Sequence, residues 1–239
     1  MFQPYKSKRA FEQIADEIKA TIFDHKLKSG DRLPSEREMA EQFQAGRMTV
    51  REALRTLEIS GFIQIKKGSE GGAFVGNYNP EALSSLVMDN FQLEGITPDE
   101  ILDTRLGLES ATVACAIKNA TKNDFTLMEQ NIEEAEEITD RGGPVKRFHE
   151  LAIEYHILLA EASHVLPLTM FVRTLSHWSR RKPLRWEPTR AEQAWMTRSH
   201  RRIFESIKKK DVTLARQLIQ EDIEKMRYLY GEWNRQSLT

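Results

Sequence analysis

The sequence has little cysteine and no long apolar run. Cys115 is the single cysteine among 239 residues, which excludes an internal disulfide and is typical of a reducing cytoplasm. No stretch approaches the roughly 18 consecutive apolar residues of a membrane helix, and the first residues lack the apolar core of a signal peptide. We therefore expect a cytoplasmic protein without a membrane segment.

Net charge is also nearly absent. The chain holds 35 Lys and Arg against 36 Asp and Glu, which leaves a formal charge of −1. Overall charge thus does not indicate a nucleic-acid partner, and only a local pattern of basic side chains can do so. The length suggests two domains, and a 40% share of apolar residues is enough for ordinary cores.

Residues 35–60 predict two short helices joined by a tight turn. Ser35 and Glu38 have the spacing of a capping box, in which each side chain accepts a hydrogen bond from the other residue's N–H. Gly46 ends the turn, since glycine tolerates a positive φ. The second helix starts at about Arg47, and its buried face is predicted by apolar residues at i, i+3, i+4 and i+7, namely Val50, Ala53, Leu54 and Leu57.

A basic stripe lies beside that apolar face, formed by Arg47, Arg51 and Arg55 at i, i+4 and i+8. Such a stripe alone is common on a solvated helix. Here two β-rich runs follow, at 61–68 and 72–75, and they predict a hairpin, or wing, with a basic tip. The combination is typical of a domain that places its second helix in the major groove of DNA and its wing near the phosphates or minor groove.

Four strings carry a family resemblance, LPSEREMAEQF, GRMTVREAL, EISGFI and KKGSEGGAFV, and they occur in this order. Together they resemble the winged helix of the GntR family of bacterial transcription regulators over about residues 10–76. The family usually has Ser where this chain has Gly46, which implies that one phosphate contact is missing. The resemblance implies DNA contacts from Arg37, Arg47, Thr49, Arg51 and Gly68.

Helical patterns without a convincing strand follow the turn-forming residues 77–80. We predict a mainly α fold with a winged helix-turn-helix at 1–76, a linker at 77–80 and an all-α bundle of about seven helices at 81–239. The bundle resembles the FCD-type ligand-binding domain of the FadR-like branch of the same family. The strings that carry this are Arg105-x-x-Leu-Glu109, EYHILLAEAS at 154–163 and SHRRIFESIKKKDV from Ser199.

Three polar residues fall on or beside apolar stripes of three bundle helices: His156, His200 and Asp222. Buried polar groups need partners, and two His with one carboxylate suit a divalent transition metal. The family set implied by the resemblance is one Asp and three His, but this chain has Ala152 at the Asp position and Asp222 at the third His. Two interpretations stay open, a three-ligand site for Zn, Ni or Mn, and a metal-free cavity where His200 and Asp222 pair.

Arg105 is the predicted partner of an effector carboxylate, together with His156 and His200, because a guanidinium fork matches a carboxylate. The alternative is a structural ion pair with Glu109, four residues on. The remaining histidines that we considered are assigned to the surface: His149, His164 and His177.

These observations predict a transcription regulator that binds double-stranded DNA, and the resemblance implies a homodimer on a palindromic operator. Repression that a small carboxylic-acid metabolite relieves is the form implied by the resemblance. One alternative is a metal-dependent enzyme that uses His156, His200 and Asp222 to activate water. No nucleophile signature accompanies those residues, so we do not expect an enzyme. The other alternative is an architectural DNA-binding protein without an effector.

Overall fold

The computed structural model describes residues 9–68, 71–76, 80–181 and 188–237. It divides into two compact units, residues 1–83 and 84–239, and each has its own hydrophobic core. Residues 77–79 of the predicted linker lie outside the described residues, and Pro80 is the first residue of a helix. The wing tip, residues 69–70, is likewise outside them.

The N-terminal unit is a winged helix-turn-helix. Ser35 Oγ accepts a hydrogen bond from the Glu38 N–H at 3.2 Å, and Glu38 Oε2 accepts one from the Ser35 N–H at 2.7 Å, which confirms the capping box. The left-handed residue of the turn is Gln44, with φ 49°, and not Gly46, whose φ is −67°. The elements are α1 (Ala10–Phe23), α2 (Glu36–Gln42), α3 (Arg47–Ile59), β1 (Ile63–Lys66) and β2 (Gly72–Val75).

The hairpin closes this unit against α3. Strands β1 and β2 are antiparallel, with Ile63 opposite Val75 and Lys66 opposite Gly72. Ile63 and Val75 point into the same core as the apolar face of α3, whose predicted residues Val50, Ala53, Leu54 and Leu57 are all buried. The buried face therefore leaves the opposite side of α3, with its arginines, exposed.

Within the described residues, seven helices follow the wing, as predicted, and the C-terminal unit that begins at Ser84, inside the first of them, is all α. Several of these helices begin at a threonine whose side chain caps them; Thr97, Thr121 and Thr189 each form a capping box with an acidic residue three positions on. The helices are α4 (Pro80–Leu93), α5 (Pro98–Asn119), α6 (Lys122–Arg141), α7 (Val145–Ala162), α8 (Leu166–Arg181), α9 (Arg190–Lys208) and α10 (Val212–Ser237).

The core of the bundle is mainly apolar, and one set of its buried polar side chains lies on α5, α7, α9 and α10. Tyr155, Phe148 and Phe204 are among the largest fully buried residues of the unit. The buried polar set includes five ionisable residues: Arg105, Glu109, His156, His200 and Asp222. In the described parts of the chain, no helix combines the length and the apolar character needed to cross a bilayer.

Candidate functional site

A cavity of about 730 Å³ lies inside the helical bundle, a size that suits a small organic ligand. Its wall contains every residue predicted to bind effector or metal: Arg105, His156, His200 and Asp222. His149 also lines the cavity and is half-buried, so its assignment to the surface was wrong. It precedes His156 by seven residues, which places both side chains on one face of α7. His164 is exposed, and the side chain of His177 lies outside the described residues.

The three candidate metal ligands converge on one point of the wall. His156, His200 and Asp222 each offer one ligand atom, and these atoms lie within 4.8 Å of one another. His156 Nε2 is 3.5 Å from Asp222 Oδ2. Two donor atoms bound to one tetrahedral zinc ion are separated by about 3.4 Å, so the observed separation fits a shared ion. Ala152 lies on the same wall and offers no donor atom.

Glu109 contacts the ring nitrogen of His156 that does not face Asp222. Its Oε2 is 2.6 Å from His156 Nδ1, and its Oε1 accepts a hydrogen bond from Arg105 Nε at 2.8 Å. The ion pair between Arg105 and Glu109 is therefore present. When His156 Nδ1–H donates this hydrogen bond to Glu109, the lone pair of the ring is on Nε2, the nitrogen that faces Asp222.

Burial and neighbouring charge set the ionisation of this cluster. Burial alone would raise the pKa of Glu109, but the charges and hydrogen bonds of Arg105 and His156 outweigh it and hold that pKa at about 2. Burial raises the pKa of Asp222 above its ordinary value, although His156 and a hydrogen bond with Ser199 oppose the rise. Arg105 is thus compensated by Glu109, whereas the charge of Asp222 is costly unless a cation lies beside it.

His200 is kept neutral by burial and fixed in position by Tyr155. Burial pushes the pKa of His200 well below its ordinary value, and the neighbouring His156 lowers it further. Its ring stacks on the ring of Tyr155, with centroids 4.1 Å apart and an angle of 11° between the planes. The Tyr155 hydroxyl also donates a hydrogen bond to the backbone carbonyl of His200 at 3.0 Å. A neutral, fixed imidazole retains the lone pair that a metal ion requires.

The metal-free interpretation expected a buried pair between His200 and Asp222. In the structure the ion-pair contact of Asp222 is with His156, and its hydrogen bond is with Ser199. Sequence reasoning gave Glu109 as a possible partner of Arg105, but it missed the contact of Glu109 with His156 and the contacts of Tyr155 with His200, because these contacts form between helices. The spacing of Arg105 and Glu109 was the only local signal for either of them.

The residues predicted to contact DNA lie on α2, α3 and the wing. Arg37, Arg47 and Arg51 are exposed, and Thr49 is half-buried. Gly68 stands at the wing with φ 112°, a conformation that favours glycine. Two of the arginines have acidic partners: Arg37 Nε lies 3.1 Å from Glu41, and Arg51 pairs with Glu36.

Comparison with known proteins matches both units. Residues 10–75 match the model of the gntR family of bacterial regulatory proteins, and residues 100–225 match the FCD domain. The Uxu operon transcriptional regulator of Escherichia coli K12 is 27% identical over 234 residues, which cover 92% of this chain and 86% of that protein. The HTH-type transcriptional regulator YdhC of Bacillus subtilis 168 is 30% identical over 208 residues, covering 86% and 84%.

A further relative and one solved structure agree with these matches. The putative L-lactate dehydrogenase operon regulatory protein of E. coli K12 is 28% identical over 70% of this chain and 63% of its own length. The structure of a Streptococcus agalactiae GntR protein covers 91% of this chain and 99% of that chain, with a TM-score of 0.67 and 23% identity. At that identity the likeness shows the fold. The matched families and relatives are regulators of transcription and not enzymes.

Proposed function

Because the chain belongs to the GntR family of bacterial regulatory proteins and carries an FCD domain, it is a transcription regulator, and we propose that it binds a palindromic operator as a homodimer. The observation that carries this proposal is the arrangement of α3, whose apolar side is buried while Arg47 and Arg51 are exposed on its first two turns. In a helix-turn-helix the start of the second helix contacts base edges. A two-fold dimer matches a palindromic site.

We assign the DNA contacts to five residues of this unit. Arg47 and Arg51 read bases, since a guanidinium bonds bidentately to guanine. The remaining three support them, because Gly68 lets the wing backbone approach a phosphate, Thr49 lies in the first turn of α3 and Arg37 lies on the neighbouring helix α2. Together the proposed contacts are Arg37, Arg47, Thr49, Arg51 and Gly68.

The first prediction concerns the two base-reading arginines. Arg47→Ala and Arg51→Ala should each weaken binding to the selected operator by about 5- to 150-fold, since a bidentate contact is worth about 1–3 kcal/mol. Arg55→Ala is the matched control, because it removes an exposed arginine of the same helix beyond its N-terminal part. The measurement is the Kd by fluorescence anisotropy beside the thermal melting curve. Normal operator binding by Arg47→Ala would reject the assignment.

We further propose that the bundle binds one divalent ion, Zn, Ni or Mn, through His156, His200 and Asp222. The donor set supports this, since it joins two imidazole rings to a buried carboxylate whose charge needs a cation. A bound ion would supply open coordination positions for a carboxylate. Glu109 orients His156 by its hydrogen bond, and Tyr155 holds His200 by stacking and through its backbone carbonyl.

The effector proposed for this cavity is a small carboxylic acid. The cavity is large enough, and Arg105 on its wall offers a cation besides the proposed metal. One relative is named for an operon of L-lactate dehydrogenase, an enzyme of a small hydroxy acid. The effector acts by binding more tightly to one arrangement of the protein, and the default outcome is release of a repressor from DNA.

The second prediction concerns the metal. Elemental analysis of the purified protein should find about one divalent ion per chain, and His200→Ala should remove it because one of three ligands is lost. The matched control is His164→Ala, which changes an exposed histidine outside the cavity. Equal metal content in the two variants would reject this site, and absence of metal from the wild-type protein would favour the metal-free cavity.

A further inference from the structure

The carboxylate of Glu36 lies against the recognition helix α3. Glu36 is the first residue of α2, and its carboxylate accepts two hydrogen bonds from Arg51, from Nε at 3.1 Å and from Nη2 at 2.6 Å. The pair bridges α2 and α3 although 15 residues separate its members. The hydrogen bonds from Arg51, together with the charges of Arg51 and Arg47, lower the pKa of Glu36, although burial opposes the shift.

The geometry of this pair decides which part of Arg51 is free. A guanidinium carries five N–H bonds in one plane, and the two bonds to Glu36 use the edge formed by Nε and Nη2. The remaining edge, formed by Nη1 and Nη2, can still give two parallel hydrogen bonds to guanine O6 and N7. The side chain of Arg51 is 58% exposed and that of Glu36 is 37% exposed, so Arg51 reaches solvent while Glu36 is partly covered.

We propose that Glu36 is a positioning residue for DNA reading, which holds the Arg51 side chain in place so that its free edge meets a guanine. This inference rests on the proposed operator binding. Arg51 then loses less side-chain freedom on binding. The carboxylate also repels phosphates that approach without the correct base, so Glu36 weakens binding to unrelated sequence. Glu36 therefore acts on the ratio of specific to non-specific affinity more than on affinity itself.

The test replaces the carboxylate by a neutral side chain of the same shape. Duplexes are first selected from a random-sequence library with the wild-type protein, and the Kd of Glu36→Gln is then measured for the selected duplex and for a scrambled duplex. Specificity is expressed as the Kd for the scrambled duplex divided by the Kd for the selected duplex. We expect this ratio to fall by about tenfold in Glu36→Gln, within the range of one bidentate base contact. The selection is repeated with Glu36→Gln and Arg51→Ala, and both should lose base preference at the same position.

Asp24→Asn is the matched control for charge. It removes another exposed carboxylate of the same unit, one that pairs with Lys26 at 3.2 Å. This variant should keep the wild-type ratio and base preference. A similar fall of the ratio in Asp24→Asn would show a general charge effect and would reject the role of Glu36.

The outcomes separate this inference from the proposed function. If the wild-type protein selects a preferred duplex and Arg51→Ala loses it, while Glu36→Gln keeps both ratio and preference, Glu36 has no positioning role and operator binding stands. If Glu36→Gln melts at lower temperature and binds both duplexes more weakly by the same factor, its role is structural and the inference is wrong. If the wild-type protein selects no preferred duplex, the proposed operator binding itself fails.

Discussion

Asp222 occupies the position where the family resemblance implies a third histidine, and this single difference changes the site. A buried carboxylate brings a negative charge into a core that already holds Glu109, which Arg105 compensates. Burial therefore raises the pKa of Asp222. A divalent ion would reverse that cost, since it brings positive charge to the place where Asp222 and the two imidazoles meet.

The third prediction follows for Asp222→Asn. In metal-free protein the variant should be more stable than the wild type at neutral pH, because a buried charge has been removed. The folded-state pKa of Asp222 is raised, so this charge destabilises only as the pH rises, and the difference between the two proteins should shrink on acidification. Chemical denaturation at several pH values measures it.

A bound metal ion should raise the free energy of unfolding of the wild type more than that of Asp222→Asn. At a metal concentration a hundredfold above its Kd, the wild type should gain about 2.7 kcal/mol in free energy of unfolding. Asp222→Asn should gain much less, since it has lost one ligand. An equal gain in both proteins would show that Asp222 does not bind the ion.

At the scale of elements, the start of α2 could be predicted because its capping box joins residues only three positions apart, Ser35 and Glu38. The capping boxes at Thr97 and Thr121 in the structure have the same local spacing. The site could be predicted only in part, because some of its contacts join residues that are far apart in the sequence. His156 contacts Glu109 across 47 residues, and Tyr155 contacts His200 across 45. No periodicity within one helix encodes such pairs, which depend on how α5, α7 and α9 pack.

The fourth prediction concerns the start of α3. Gly46 is its N-cap with φ −67° and gives no side-chain cap, and an added Cβ would meet only Thr49 Oγ1 at 3.7 Å, an ordinary contact. Gly46→Ser should stabilise the protein by a few tenths of a kcal/mol, roughly the advantage of Ser over Gly as a cap, and should tighten operator binding by adding a phosphate contact. Gly46→Ala, the control without an oxygen, should do neither. Thermal melting and Kd values measure both effects.

At the scale of the whole molecule, the two units have separate hydrophobic cores, and the proposed function assigns DNA binding to one unit and ligand binding to the other. Coupling between these proposed functions requires an arrangement of the proposed dimer that ligand and operator favour to different degrees. The same free energy of coupling acts in both directions, so an effector that lowers operator affinity must itself bind more weakly to the operator complex.

The fifth prediction concerns operator geometry. If two winged helices read half-sites on one face of the duplex, those half-sites are about 10 base pairs, or one helical turn, apart or a multiple of it. An insertion of about 5 base pairs at the centre should therefore reduce affinity to that of a single half-site, because the second half-site turns to the opposite face. Titration of both duplexes at equal salt measures this. Unchanged affinity after the insertion would argue against paired binding of two half-sites.

The stack of Tyr155 on His200 also gives the cavity an optical signal. A tyrosine ring that is fixed in an asymmetric, fully buried environment contributes to circular dichroism in the near ultraviolet, and this ring lies 4.1 Å from a proposed ligand of the metal. Occupation of the site should change that band without any added dye, and Tyr155→Phe should shift it while keeping the stack. Binding of metal or ligand in the cavity can then be followed by near-ultraviolet circular dichroism of the unlabelled protein.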